Sequence, residues 1–298
     1  MDRSTFLKAL GPLPHKSPLK LEIISTKDMG AYSELLVSYD VEQGERVSAF
    51  VLIPHDIESA VPGVLCHHQH ASMYNKAKSE MVGHFGDPDL AYAMELAQRG
   101  YVTIAPDALP FEDRNWNGEA WWGAEYFEMA TRLLRGETLL AKVLSDLSKA
   151  IDCLNAFPEV DSSKIGFIGH SYGARMAIWA PAFDRRIGAS VSNCFAVNFR
   201  NSLSRSSGTR IPMELCLPGF LELGDVEDVM RLAAPCPLYL SVAEEDKWSR
   251  DAQIMYDYAV SAFANSELRL KIWPGGHSFG PDMRAAAYSF LDEKLCAQ

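Results

Sequence analysis

The sequence predicts an α/β fold in which a mostly parallel central sheet follows an antiparallel meander, with helices on both faces. From residue 62 onward, short apolar runs alternate with helix-length stretches, which is typical of a parallel sheet with crossover helices. Before residue 62, strand-like segments at residues 21–25, 33–39 and 46–53 are separated by turn residues and by no helix. That spacing indicates antiparallel pairing.

The individual elements follow from apolar periodicity. A short helix is expected near residues 4–10, and the parallel strands are expected at residues 64–66, 101–105, 165–168, 189–191, 238–242 and 268–273. Further helices are expected at residues 89–98, 138–157, 174–180, 251–263 and 282–295. The clearest is the helix at residues 138–157, where apolar side chains recur at three- and four-residue steps and Pro158 follows.

The domain organisation is predicted from what does not divide the chain. No Pro/Gly/Ser-rich linker, charge block or internal repeat interrupts the 298 residues, so residues 1–298 are expected to form a single domain. Residues 108–136 and 195–232 break the strand–helix rhythm. Long insertions of this kind are usually functional, and we expect them to be lids or active-site loops.

Charge and cysteine content limit the partners. The net charge of −11 is spread along the chain, which argues against binding nucleic acid or an anionic membrane surface. No window has the length of a membrane span, and prolines interrupt the N-terminal stretch where a secretory signal would lie. Six scattered cysteines without C-x-x-C pairs predict free thiols and a cytoplasmic protein. The oligomeric state stays open, a homo-oligomer included.

The motif with the clearest chemistry is Gly169-His170-Ser171-Tyr172-Gly173, which matches the G-x-S-x-G nucleophile elbow. It follows a predicted strand and precedes a helix-compatible segment, which is the context that the motif requires. A sharp strand-to-helix turn exposes the serine hydroxyl, and the glycines avoid clashes with neighbouring backbone. Ser171 is therefore the candidate nucleophile.

A serine hydroxyl needs a base and an orienting acid, because it is a poor nucleophile at neutral pH. In proteins with this elbow the partners follow in the order acid, then histidine. His277, in a Gly-Gly-His loop after the last strand, is the one histidine downstream of Ser171. Asp246, after the strand at residues 238–242, is the preferred acid; Glu245 is the alternative, and Asp225 and Asp228 lie earlier, in the second insertion.

An oxyanion hole needs two donors. One is expected to be the backbone N–H of Tyr172, and the other an amide of the loop after the first parallel strand, from Gln69 or His70.

That loop is rich in histidine. A metal-binding site there would use His67, His68 and His70, with His84 as a further ligand. Adjacent strand residues point to opposite faces, and no H-E-x-x-H helix or cysteine pair is present, so we expect no metal. No G-x-G-x-x-G fingerprint is present, and we expect no cofactor. Trp116, Trp122 and Trp248 are the candidate substrate-binding residues, with plain packing as the alternative.

From about residue 62 to the C-terminus the chain resembles bacterial α/β-hydrolases of the dienelactone-hydrolase and acetyl-xylan-esterase-like group. The segments that carry the resemblance, besides the elbow, are His68-Gln69-His70, Ala105-Pro106-Asp107, Leu134-Arg135-Gly136-Glu137-Thr138-Leu139, Pro158-Glu159-Val160-Asp161, Lys164-Ile165-Gly166, Cys216-Leu217-Pro218-Gly219, Leu232-Ala233-Ala234-Pro235-Cys236-Pro237 and Gly276-His277. The resemblance implies an α/β-hydrolase fold and the triad of Ser171, Asp246 and His277. Dienelactone hydrolases proper use cysteine as nucleophile, so their lactone specificity is not carried over.

These observations predict a serine hydrolase that acts on a small or medium carboxylic ester through an acyl-enzyme. Two alternatives stay open. The same triad could cleave an amide, a peptide or a carbon–carbon bond next to a carbonyl. A non-catalytic binding protein on the same scaffold would also be compatible with the fold, although binding alone does not require all three triad residues.

Overall fold

The computed structural model describes residues 1–15, 17–115, 122–203 and 208–296, and a nine-stranded sheet lies at its centre. In chain order the strands are β1 (Glu22–Asp28), β2 (Tyr32–Glu42), β3 (Glu45–Pro54), β4 (Val61–His67), β5 (Val102–Pro106), β6 (Val160–His170), β7 (Ile187–Asn193), β8 (Leu238–Ala243) and β9 (Leu268–Trp273).

The strand order in the sheet is β1-β2-β3-β5-β4-β6-β7-β8-β9. The pairs β1–β2, β2–β3 and β3–β5 are antiparallel, and the other five pairs are parallel. The predicted N-terminal meander and the mostly parallel sheet are therefore both confirmed.

Eleven α-helices lie in the described part of the chain. They are α1 (Arg3–Ala9), α2 (Lys78–Met81), α3 (Tyr92–Gln98), α4 (Trp122–Leu134), α5 (Leu139–Leu154), α6 (Tyr172–Phe183), α7 (Phe199–Ser202), α8 (Phe220–Leu223), α9 (Val226–Ala233), α10 (Ala252–Ala259) and α11 (Pro281–Leu291). The short 3₁₀ helices are Pro88–Leu90, Glu112–Arg114, Met213–Leu215 and Val260–Phe263, and a π-helical turn covers Asp292–Cys296. None of the helices described is both long and apolar enough to cross a bilayer.

Helix α5 shows how local sequence sets an element. The Thr138 hydroxyl accepts the backbone N–H of Ala141 at 3.1 Å, which satisfies one of the free donors of the first turn. The helix ends at Leu154, four residues before Pro158, so the prediction that it reaches residue 157 is wrong by one turn.

The two insertions contain helices that the sequence analysis missed. The first carries α4, and the second carries α7, α8 and α9. Helix α9 begins with a capping box. The Asp225 side chain accepts the backbone N–H of Asp228, and the Asp228 side chain accepts the backbone N–H of Asp225. The D-x-x-D spacing at residues 225–228 was the available signal, and α9 packs against α6 as a regular part of the fold.

The core lies on both faces of the sheet because strand side chains alternate. In β4, Leu65 joins one buried cluster, whereas Val64 and Cys66 join the other. Helices α5, α6, α9 and α10 cover the first face, and α3 and α11 cover the second. Strands β4, β6, β7, β8 and β9 are parallel, so the loops that follow them meet at the same edge of the sheet. Ligand sites of such folds usually lie at this edge.

Candidate active site

Ser171 lies at the turn between β6 and α6 with a φ of 57° and a ψ of −104°. A non-glycine residue with positive φ is strained, by about 1–3 kcal/mol. The chain tolerates this strain because the surrounding contacts fix the turn. The Ser171 N–H donates to the Asn193 carbonyl of β7 at 2.9 Å, and the Arg175 N–H donates to the Ser171 carbonyl at 3.1 Å.

The two glycines of the elbow are required by space. A Cβ on Gly169 would lie 2.3 Å from the carbonyl carbon of Gly173, and a Cβ on Gly173 would lie 2.0 Å from the carbonyl oxygen of His67. The Gly173 N–H donates to the His68 carbonyl at 3.0 Å, so α6 starts in direct contact with the loop after β4. The predicted strand–turn–helix arrangement is what the structure contains.

Asp246 and His277 are brought together by the loops after β8 and β9. The Asp246 Oδ2 lies 3.0 Å from the His277 Nδ1, and the Asp246 side chain is 1 % exposed. The same carboxylate accepts the Trp248 N–H at 3.0 Å and the Ser249 hydroxyl at 2.7 Å. Burial opposes ionisation of Asp246, but the hydrogen bond and charge of His277, together with these donors, hold the pKa of its carboxyl below the ordinary value.

The other acids considered from sequence lie elsewhere. The Glu245 side chain is exposed. Its backbone N–H donates to the Gly275 carbonyl at 2.9 Å, which joins the loop after β8, the acid loop, to the loop after β9, the histidine loop. The Asp225 carboxylate accepts the backbone N–H groups of Phe199 at 2.8 Å and Arg200 at 3.0 Å inside the second insertion. Asp246 is therefore the acid that the geometry places on His277.

Asn193 connects the elbow to the histidine loop, and the sequence analysis missed it. Its Nδ2 lies 2.8 Å from the His170 Nδ1 and donates to the Ser278 carbonyl at 2.9 Å. The His170 and His277 rings lie 4.7 Å apart between centroids, so His277 packs beside the residue that precedes Ser171. A polar residue at the carboxyl end of a buried parallel strand was the signal that could have identified Asn193.

The histidines after β4 support the loop backbone. The His67 Nδ1 lies 3.0 Å from the His68 carbonyl, and the His68 Nδ1 lies 2.7 Å from the Gln69 carbonyl. The His68 Nε2 accepts the Ala108 N–H at 3.1 Å, so the proton of this ring is on Nδ1. Burial lowers the pKa of His68 to about 3. Both rings are therefore neutral scaffolding groups.

The remaining candidate metal ligands are also engaged by protein groups. The His70 Nε2 lies 2.8 Å from the Glu125 Oε2, and the His84 Nε2 lies 3.0 Å from Glu34. Within residues 1–15, 17–115, 122–203 and 208–296, the only set of three or more His, Cys, Asp or Glu side chains with ligand atoms in metal-binding reach is Cys194, Asp246 and His277. The histidines of residues 67–84 therefore form no metal cluster there.

The predicted oxyanion donors lie on the two sides of the hydrogen bond between the Gly173 N–H and the His68 carbonyl. Tyr172 is the first residue of α6, and Gln69 and His70 follow the point where the His68 carbonyl meets α6. Among the residues described, no protein acceptor takes the backbone N–H of Tyr172, Gln69 or His70. The Gln69 side chain is not a candidate oxyanion donor, since its Nε2 donates to the buried Glu80 at 3.1 Å.

A buried charged pair lies behind Tyr172 and was not anticipated. The Arg175 Nη1 is 2.9 Å from the Glu214 Oε1, and the Arg175 guanidinium lies 4.9 Å from the centroid of the Tyr172 ring. Burial raises the pKa of Glu214 although the Arg175 charge lowers it. Arg175 lies one helical turn after Ser171, a spacing that could have indicated a side chain near the elbow.

Of the three candidate tryptophans, the side chain of Trp248 alone lies within the described part of the chain. The Trp248 ring is half-buried against the core, and its carbonyl accepts the Ala196 N–H at 2.7 Å, so this residue helps to shape the acid loop. Trp116 lies outside the described residues, and Trp122 is the first residue of α4, with its side chain outside the description. Substrate contact by all three stays a prediction.

Comparison with known proteins gives a family match over part of the chain and a fold. Residues 79–202 match the dienelactone hydrolase family. The candidate hydrolase YtaP of Bacillus subtilis (strain 168) is 26% identical over 248 residues, which are 82% of this chain and 80% of that protein. The fold is similar to a candidate acetyl xylan esterase of Bacteroides fragilis NCTC 9343, with a TM-score of 0.74 and 17% identity over 91% of this chain and 73% of that one.

It is also similar to a glucuronoyl esterase from Solibacter usitatus, with a TM-score of 0.73 and 16% identity over 98% of this chain and 91% of that one. At these identities the structural similarity establishes the fold. The chain therefore has the α/β-hydrolase fold, and its residues 79–202 match the dienelactone hydrolase family.

Proposed function

We propose that this protein is a serine carboxylic-ester hydrolase with Ser171 as nucleophile, His277 as general base and Asp246 as the orienting acid. The observation that carries the proposal is that a strained serine elbow and a histidine held by a buried acid, with the His277 Nδ1 3.0 Å from the Asp246 Oδ2, lie at the same edge of the sheet. The hydrolase family match at residues 79–202 supports the reaction class.

The proposed acylation step uses these three residues and two backbone donors. The His277 Nε2 removes the proton of the Ser171 hydroxyl as the oxygen attacks the ester carbonyl carbon, and the carbonyl electron pair moves to oxygen. Asp246 holds the imidazole by its Nδ1–H and stabilises the imidazolium. The N–H of Tyr172 and an N–H of Gln69 or His70 stabilise the oxyanion, each by about 3–4 kcal/mol. The imidazolium then protonates the leaving alcohol as the C–O bond breaks.

Deacylation repeats the sequence with water. His277 takes a proton from a water molecule as it attacks the acyl carbon, and the imidazolium returns that proton to the Ser171 oxygen as the acid is released. Every proton is transferred through His277. The role of Asp246 is to keep the proton of the neutral ring on Nδ1, so that Nε2 can accept.

We place the substrate between the two insertions, residues 108–136 and 195–232, which we propose to cover the site as parts of a single 298-residue domain. Trp248 and the tryptophans of the first insertion are the proposed apolar contacts. Because relatives of the same fold include an acetyl xylan esterase and glucuronoyl esterases, sugar acetates and uronate esters belong in the first substrate panel.

Active-site labelling with a fluorophosphonate probe tests the proposal. The adduct, located by mass spectrometry, is expected on Ser171, absent in Ser171→Ala and formed much more slowly in His277→Ala. Ester hydrolysis is then compared with anilide and diketone cleavage by the same enzyme. Failure of a folded sample to react with the probe and with every ester would refute the proposed function.

We also propose a cytoplasmic location, which is supported by the unpaired state of all six cysteines. Fractionation of the native host tests it, with the protein expected in the cytoplasmic fraction; recovery from the medium or periplasm would contradict it.

A further inference from the structure

We propose that Glu125 of α4 is a positioning residue for the oxyanion hole, which acts by holding His70 and, through it, the strained turn after Gln69. This inference rests on the proposed function, because it assigns Glu125 a role in the transition state of that reaction. It also connects the first insertion to the chemistry through a defined contact.

The turn at residues 70–73 has an unusual backbone. Ala71 and Ser72 have φ values of 45° and 56°, and neither is a glycine. Two consecutive non-glycine residues in the left-handed region are disfavoured by their own sterics, so neighbouring contacts must maintain the turn. The Met73 N–H donates to the His70 carbonyl at 3.0 Å, which closes the turn from within.

The His70 ring is bonded at both nitrogens. The Ser72 N–H donates to Nδ1 at 3.0 Å, which requires Nδ1 to be the accepting nitrogen and puts the proton on Nε2. That Nε2–H donates to the Glu125 Oε2 at 2.8 Å. The imidazole therefore transmits the position of the Glu125 carboxylate to the backbone N–H of Ser72, at the centre of the strained turn.

The carboxylate is itself well fixed. Glu125 is 4 % exposed, and the Tyr74 hydroxyl donates to the same oxygen at 2.8 Å. Burial opposes ionisation, but the hydrogen bonds from the His70 Nε2–H and the Tyr74 hydroxyl hold the pKa of Glu125 below its ordinary value. An ionised acceptor makes stronger hydrogen bonds than a neutral one, so the hydrogen bond from His70 to Glu125 is charge-assisted.

Loss of the carboxylate is expected to release the His70 ring and let the turn relax. The amide donors of Gln69 and His70 immediately precede this turn, so they would move relative to the Ser171 oxygen. Such a movement weakens an interaction that forms in the transition state and leaves ground-state binding intact. The expected signature is therefore a lower kcat with little change in KM.

The experiment compares Glu125→Gln and Glu125→Ala with Glu128→Gln, a control on the same helix whose carboxylate instead pairs with Arg132 at 3.3 Å. We expect Glu125→Ala to lower kcat about 10- to 100-fold with KM within about threefold. Glu125→Gln, which keeps an acceptor for the His70 Nε2–H, should lose less. The affinity of a trifluoromethyl ketone, whose adduct carries the oxyanion, should fall in parallel with kcat/KM.

Hydrogen exchange measured by mass spectrometry supplies a readout that needs no turnover. Peptides that cover residues 69–74 should exchange faster in both Glu125 variants, and peptides of α6 should not change. Unchanged exchange in that loop, or a kcat equal to that of Glu128→Gln in an active enzyme, would overturn the inference. If the wild type hydrolyses no ester, the proposed function fails, while the exchange data still decide whether Glu125 holds the loop.

Discussion

The buried imidazole of His170 predicts a sensitivity of the fold to acid. His170 is 2 % exposed, and burial, with a smaller effect from the His277 charge, lowers its pKa from 6.5 to about 3. The Asn193 amide donates to its Nδ1, which leaves the ring neutral in the folded protein. In the unfolded chain the same ring takes up a proton near pH 6.5, so acidification favours unfolding.

The size of the effect follows from the two pKa values. A histidine with a depressed folded pKa contributes its full stability above the unfolded value and loses it as pH falls from about 6.5 toward 3. Between pH 7 and pH 5, protonation of this one ring in the unfolded state lowers the free energy of unfolding by about 2 kcal/mol. His68, with a similar pKa, adds a comparable loss.

Urea unfolding at pH 7 and pH 5 measures this loss directly. In His170→Gln, whose side chain is neutral at both pH values, the drop in free energy of unfolding should shrink by about 2 kcal/mol. His15→Gln, at an exposed site, is the control and should show the wild-type drop. An equal drop in His170→Gln and wild type would refute the reasoning, whatever the stability of the variant at pH 7.

Further predictions concern the elbow and the triad. Asp246→Asn should lower kcat about 10⁴-fold with the fold retained, whereas Glu245→Gln should stay within about threefold of wild type in the same ester assay; equal losses would move the acid to Glu245. Gly173→Ala should destabilise the protein by about 3 kcal/mol or more in thermal or urea unfolding, because its Cβ would lie 2.0 Å from a backbone oxygen. Gly280→Ala, with open space around its Cβ, should stay within about 1 kcal/mol. Asn193→Ala should reduce kcat about 10-fold, and a change confined to KM would contradict its role in positioning the histidine loop.

The sheet and the serine elbow could be predicted from sequence because their signals are local. The central parallel strands contain short apolar runs, and burial on both faces makes such runs stand out from the helices between them. The elbow is similarly local, since Gly169 and Gly173 are required by backbone contacts at the turn itself. The order of acid and histidine after Ser171 then left few candidates, and the Asp246–His277 contact agrees with the preferred one.

The polar contacts around the elbow could not be predicted, because they join side chains that are distant in sequence. Glu125 meets His70 across 55 positions, and Asn193 meets Ser278 across 85. A sequence shows which groups can donate or accept, but the partner of each group is fixed by the fold. The histidine-rich loop illustrates the point. Its composition suggests metal ligands, whereas in the structure the ring nitrogens bond to loop backbone and the His70 Nε2–H donates to Glu125.

The same contacts explain why a serine elbow alone does not make a hydrolase site. The turn at Ser171 is strained, and its bonds run to β7 and to the loop after β4, which in turn depend on Asn193 and His70. A buried donor or acceptor that loses its partner costs more than its bond contributes, so the paired groups of such a network favour one arrangement. Substitutions at Glu125 or Asn193 should therefore affect the proposed reaction centre through the backbone, although neither side chain belongs to the proposed triad.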